Sequence, residues 1–223
     1  MLSTMREYPQ IDQVAKICNG VVGKRVIIMA AFEGEELLPV NCPDIVGNII
    51  QELLYPLLNK HLPDIEKGPP QQSPDYWGLK REFAFEVKAY YNSPGFDIAN
   101  VESLINQLVD NGVIKKILKT KYLIFEYDIK EATITIKKFW LKNIWELPNY
   151  GLTYPISLQQ KGKTWLNFRS AASSKWNNPD KNPIKFIENI IECIDKCHHV
   201  DNKETKKASI LRQLDDAKAQ GFI

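Results

Sequence analysis

Residues 82 to 91 read Glu-Phe-Ala-Phe-Glu-Val-Lys-Ala-Tyr-Tyr, and apolar positions alternate along them. Phe83, Phe85, Val87, Ala89 and Tyr91 fall on one side of an extended segment, Glu86 and Lys88 on the other. The pattern predicts a strand with an apolar face and a polar face. Pro74-Asp75-Tyr76-Trp77 before it reads as a partner strand, with the turn near Gly78. A turn centred between Lys80 and Arg81 sets Asp75 directly opposite Glu86. A slip of one residue would separate the pair.

Other periodic segments surround this hairpin. Val26–Phe32 is an apolar run that suits a strand or a buried helix equally. Behind Asp44, which reads as an N-cap, Ile45, Ile49, Leu53 and Leu57 recur every fourth residue, with Ile50 and Leu54 beside them. That predicts an amphipathic helix with a bend at Pro56. Gly68-Pro69-Pro70 breaks the pattern, and residues 63–73 read as a loop. After Ser93-Pro94-Gly95, a second helix buries Val101, Leu104, Ile105, Leu108 and Val109, with Asp97 or Asn100 as its cap. Asp97 reads as a cap in preference to an acid supporting the site. Tyr122–Tyr127 and Thr133–Ile136 read as strands. Strand, helix, strand at this spacing implies a crossover between parallel strands. Residues 148–182 are weakly periodic, Pro183 opens a helix carrying Ile187, Ile190, Ile191 and Ile194, and a charged helix is expected over about 203–219. The fold class is therefore α/β (α+β), a central mixed β-sheet flanked by helices.

Composition adds bounds. A chain of 223 residues with 44% apolar and 25% charged residues supports one large globular domain. No apolar stretch long enough for a membrane helix occurs, and the first residues lack the apolar centre of a signal peptide. Cys18, Cys42, Cys193 and Cys197 read as reduced thiols, which points to a cytoplasmic protein. Cys193, Cys197, His198 and His199 hold potential zinc ligands, but their spacing matches no common zinc site, and core thiols are the better reading. Net charge is only +2, yet it is unevenly spread. Residues 31–66 carry seven acids and one base; residues 137–181 carry eight bases and two acids. A basic second half can face phosphates.

Two carboxylates and a lysine converging on one sheet face suit phosphodiester cleavage. Asp75 and Glu86 could hold Mg²⁺, a hard ion that takes oxygen ligands, with the Val87 carbonyl as a third ligand and Glu52 as an additional acid. Lys88 could orient the attacking water, take its proton or stabilise developing charge. Downstream, Lys161, Lys163, Arg169, Ser170, Ser173, Lys175, Asn177 and Asn178 mix bases, amides and hydroxyls in a way that suits DNA contact.

Ser73-Pro74-Asp75 followed by Phe85-Glu86-Val87-Lys88-Ala89 resembles the PD-(D/E)XK nuclease motif. The run from Phe85 through Ser93-Pro94-Gly95-Phe96-Asp97-Ile98-Ala99 resembles the NgoBV/NlaIV-like group of type II restriction endonucleases. So do Tyr122-Leu123-Ile124-Phe125, Trp140-Leu141-Lys142, Ile144-Trp145-Glu146 and Arg169-Ser170-Ala171. The resemblance spans roughly residues 70–178. It implies a restriction-endonuclease-like core and Mg-dependent cleavage of both strands of duplex DNA at a short, GC-containing palindrome. It also implies a cognate DNA methyltransferase in the same host. A palindromic target calls for a symmetric reader, hence a homodimer. The expected organisation is one nuclease domain over 1–223, with a core at about 44–146 and a DNA-contacting, helical part at about 147–223. The rivals are a structure-specific or repair nuclease of the same fold and a non-catalytic DNA-binding protein.

Overall fold

The computed structural model describes residues 9–40, 42–69, 72–78, 80–110, 112–151, 153–198 and 200–223. In chain order the elements are α1 (Pro9–Asn19), β1 (Arg25–Ile27), β2 (Met29–Ala30), β3 (Leu38–Pro39), α2 (Val46–His61), β4 (Glu66–Lys67), β5 (Tyr76–Gly78) and β6 (Phe83–Tyr91). There follow β7 (Asp97–Asn100), α3 (Val101–Val109), α4 (Val113–Lys119), β8 (Thr120–Lys130), β9 (Thr133–Asn143), β10 (Leu158–Lys161), β11 (Thr164–Arg169), α5 (Pro183–Lys196) and α6 (Lys203–Ala219). They pack as two compact units. One holds the chain up to Pro94 together with Lys121–Leu141; the other holds Gly95–Thr120 and Lys142–Ile223. Residues 95–120 thus pack with the C-terminal part.

The first unit is built on a six-stranded mixed sheet in the order β1-β9-β8-β6-β5-β4. β6 and β8 are neighbours although β7, α3 and α4 lie between them in sequence, so the expected crossover is present. The apolar face of β6, with Phe83, Phe85 and Val87, joins Leu123, Phe125 and Tyr127 of β8 and Ile134 and Ile136 of β9 in one core. α2 covers this core, but with a different stripe from the one expected. Val46, Ile50, Leu54 and Leu58 are buried, while Leu53 and Leu57 are 47% and 37% exposed. Two adjacent stripes on this helix both repeat every four residues, and periodicity alone cannot rank them. Each buried Leu or Ile contributes about 1.5–3 kcal/mol, so contact with the sheet decides.

Three further expectations are corrected here. Asp44 does not cap α2; it lies in a 3-10 turn over Pro43–Ile45, and Ile45 occupies the cap position without a side-chain bond. The apolar run from Val26 is two short strands, β1 and β2, not one element. The 63–73 segment contains a strand, β4, whose Glu66 and Lys67 pair with Trp77 and Tyr76. Just past β4, the Gly68 N–H donates to the Asp75 carbonyl at 2.7 Å. A Cβ on Gly68 would lie 1.7 Å from the Pro74 carbonyl oxygen, so glycine alone fits this approach.

In the second unit β10, β11 and β7 form a three-stranded antiparallel sheet. Its hairpin falls in the segment without clear periodicity. Asn100, not Asp97, caps α3, its Oδ1 accepting from the Ser103 N–H at 2.9 Å. α5 begins at Pro183 behind the Asn182 cap and buries Ile187, Ile190 and Ile194. α6 packs against α3 and α5, and its buried Gln213 donates to the Leu108 carbonyl at 2.8 Å.

Candidate active site

Asp75 stands one residue before β5. The β5–β6 register pairs Tyr76 with Phe85, Trp77 with Ala84 and Gly78 with Phe83, and one further step places Asp75 opposite Glu86. The cause is a tight turn at Lys80 and Arg81, whose φ angles of 56° and 67° are both left-handed. A two-residue hairpin turn of this hand matches the twist of paired strands. Neither residue is glycine, so the turn must be held by its flanks. Arg81 binds the Glu66 carboxylate at 3.0 Å. Tyr76 is fully buried, stacks on Tyr55 with centroids 6.1 Å apart, and donates its hydroxyl to the Gln51 carbonyl.

The three side chains meet as the register requires. Asp75 Oδ2 accepts from the Val87 N–H at 2.6 Å. Lys88 Nζ donates to Glu86 Oε1 at 2.9 Å. The other Glu86 oxygen, Oε2, is buried and has no hydrogen-bond partner among the described residues. Burial, and then the adjacent Glu86, push the Asp75 carboxyl up to about 6, while the Val87 N–H and Lys88 pull the other way. The hydroxyl of the buried Tyr122 is raised above its ordinary range by burial, then by Glu86 and Asp75, so it faces both acids as a neutral group.

Two crowded carboxylates, one with an unsatisfied buried oxygen, are costly for the protein alone. They fit a divalent cation that takes oxygen donors. Glu52 is not drawn into this pair. It binds Lys67 at 2.6 Å with its side chain 66% exposed, and no group of three metal-ligating side chains forms among the described residues.

The raised Asp75 carboxyl has a consequence for stability. Its native state keeps a proton that the unfolded chain releases, so stability falls as pH rises between about 4 and 6. Without metal at pH 8, Asp75→Asn is therefore expected to be more stable than wild type by on the order of 1–2 kcal/mol, allowing for partial solvent screening. At pH 4 the difference vanishes. Melting curves in EDTA at the two pH values check this; equal melting temperatures at pH 8 would mean the pair is not strained.

The same sheet face carries residues that the sequence reading did not assign to the site. Tyr90 donates to Glu126 at 3.1 Å and stacks on Trp140 with centroids 5.9 Å apart. Lys138 lies 3.4 Å from Glu126. Alternation along β8 puts Tyr122, Ile124 and Glu126 together, which was legible; the neighbours β6 and β9 were not.

The residues read as DNA-contacting all lie in the second unit. Lys161, Lys163 and Lys175 are exposed. Arg169 is tied to Asp97 at 2.6 Å and to the Gly95 carbonyl. Ser170 is buried, its hydroxyl bonded to the Ala171 carbonyl at 3.0 Å, and Ser173 is half-buried in a 3-10 turn. Asn177 accepts from Lys142 at 2.6 Å, and Asn178 closes a local turn with the Asp180 N–H at 2.9 Å. Cys193 and Cys197 are buried, and His198 is exposed; His199 lies outside the described residues.

The profile of the NgoBV restriction endonuclease family matches residues 20–217. The chain belongs to the NgoBV restriction endonuclease family. The match runs well beyond the 70–178 stretch that carries the resemblance in the sequence. The type II restriction enzyme NlaIV of Neisseria lactamica is 28% identical over 189 residues, covering 82% of this chain and 76% of its own. The type II restriction enzyme NgoBV of Neisseria gonorrhoeae is 31% identical over 141 residues, covering 60% of this chain and 78% of its own. The structure of the NlaIV restriction endonuclease superposes with a TM-score of 0.76 at 26% identity, covering 98% of this chain and 91% of its own. Membership in the NgoBV family makes this protein a type II restriction endonuclease.

Proposed function

We propose that the protein hydrolyses both strands of duplex DNA at a short, palindromic, GC-containing site, using Mg²⁺ held by Asp75 and Glu86 with the Val87 carbonyl. The observation that carries this reading is the unpartnered, buried Glu86 Oε2 beside the strained Asp75 carboxyl. This is the motif arrangement of a PD-(D/E)XK nuclease. When bound, the cation supplies a Lewis acid at the scissile phosphate and acidifies water. Asp75 and Glu86 would hold it, and the Val87 N–H fixes the Asp75 carboxylate in place. Lys88, 2.9 Å from Glu86 Oε1, aligns the attacking water and balances charge that builds on the phosphate. Hydrolysis forms one P–O bond from water and breaks one P–O ester bond, and the departing oxygen takes a proton.

A palindromic site is read by two copies related by a twofold axis, so a homodimer follows. A cognate methyltransferase would protect the host's own sites. Free cysteines and the absence, among the described residues, of any helix long and apolar enough to cross a membrane are in keeping with a cytoplasmic place of action.

Digestion of a mapped plasmid with Mg²⁺ tests this reading. Discrete fragments that map to one repeated sequence are expected. A smear, or cutting confined to branched or damaged DNA, would favour a repair or structure-specific nuclease. Binding without cutting under every divalent cation would leave a DNA-binding protein.

A further inference from the structure

We infer that the outward face of the β10-β11-β7 sheet reads a G·C base pair, with Arg169 on the guanine and Asp97 on the cytosine; this rests on the restriction-endonuclease reading above. The case begins with the register. Asn167 pairs across from Gln159 on β10 and from Asn100 on β7. Past Phe168, which pairs with Ala99, a bulge skips Ile98, so that Arg169 faces Asp97. Regular pairing would have set Ile98, which is buried, against Arg169. Bulges re-aim side chains in this way. Here the bulge exchanges an apolar residue for an acid on the polar face.

The result is a continuous polar row across three strands. Asn167 Nδ2 donates to Gln159 Oε1 at 3.4 Å and to Asp97 Oδ2 at 3.0 Å. Arg169 donates to Asp97 Oδ1 at 2.6 Å, and its other terminal nitrogen to the Gly95 carbonyl. A Cβ on Gly95 would come within 3.3 Å of that guanidinium, so glycine leaves it room. Trp165 and Phe168, which the register sets on the other side of the sheet from Asn167, are buried. The row itself remains accessible, with the Arg169 side chain 34% exposed and that of Asp97 47% exposed.

A simple surface ion pair would be held by one contact and would be worth little. This pair is clamped on both sides, by Gly95 and by Asn167. Clamping holds the fork of the arginine and the oxygens of the aspartate in fixed directions, and both still have bonding capacity. A guanidinium has five N–H donors, and an ionised carboxylate accepts about four hydrogen bonds. A G·C pair presents two acceptors, O6 and N7, on guanine and an N4 amino donor on cytosine. Arginine and aspartate side by side match that pattern. Asp97 is also neutralised by Arg169, which lessens its repulsion of phosphates. Lys161 and Lys163 flank Gly162 at the end of the β10–β11 hairpin and are exposed, as phosphate contacts require.

The test uses the full-length protein in Ca²⁺, with the cognate duplex taken from the wild-type digest, duplexes substituted at each position, and random duplex. Arg169→Ala should lower the cognate-to-random affinity ratio about tenfold to a hundredfold. Asp97→Asn should relax discrimination at one G·C position, because an amide offers a donor where the carboxylate offered only acceptors. Lys163→Ala should weaken both duplexes alike and reduce the salt slope by about 1. Melting curves accompany each variant. An unchanged ratio in both Arg169→Ala and Asp97→Asn overturns the inference. So does a matched loss of melting temperature and of affinity for all duplexes, which is the behaviour of a purely structural tie. If Arg169→Ala does not fold, Asp97→Asn decides, since it keeps the size of the side chain and one acceptor oxygen for Arg169. If wild type itself yields no discrete fragments, it is the nuclease reading that fails, before any variant is compared.

Discussion

Glu86→Ala is expected to abolish cleavage, with a rate loss of at least about a thousandfold. The side chain is 12% exposed, and its Oε2 has no hydrogen-bond partner among the described residues, which leaves that oxygen for the proposed cation. A Lewis acid at phosphorus is worth several kcal/mol, and about 1.4 kcal/mol corresponds to tenfold in rate. Asp75→Ala should behave alike, because the Asp75 carboxyl is held opposite Glu86 by the β5–β6 register. Lys88→Ala should lose about a hundredfold or more, since an oriented water and a charge-stabilising donor go together. Specific binding should survive in all three, and the two acid variants should bind DNA somewhat more tightly through lost repulsion. Single-turnover cleavage and binding assays on the same duplex separate the two effects. Wild-type cleavage by any one of the three variants would remove that residue from the site.

The second large effect is on metal. EDTA should stop cleavage altogether, and Mg²⁺ or Mn²⁺ should restore it. Ca²⁺ should support specific binding without turnover, because its larger and looser shell suits in-line attack poorly. The melting temperature offers a readout independent of activity. Divalent cation should raise it in wild type by relieving the Asp75–Glu86 repulsion, and should raise it much less in Asp75→Asn. Full cleavage in EDTA would sink the metal mechanism, whatever the variants do.

Much of the first unit was legible before any coordinates. Alternation over Phe85–Lys88 and a two-residue turn at Lys80–Arg81 suffice to place Asp75 against Glu86, since strand pairing is local and its period is two, although Tyr91, expected on the apolar face, is exposed and Ala84 and Tyr90 are buried. Helices α5 and α6 announce themselves through Pro183 and through the spacing of Ile187, Ile190, Ile194, Ile210 and Leu214.

What the tertiary structure alone decided was every choice between near-equal local options. α2 has two apolar stripes, and only the covering sheet selects Val46, Ile50, Leu54 and Leu58. Asp97 is as good a helix cap as Asn100 in isolation. Its partner Arg169 lies 72 residues away, and the bulge that sets them face to face has no periodic signature. Tyr122 comes against the two acids because β8 lies beside β6, a pairing across a long crossover. Local pattern sets which faces of an element are apolar. Which elements meet, and so which polar groups share a face, is set by packing over long sequence separations.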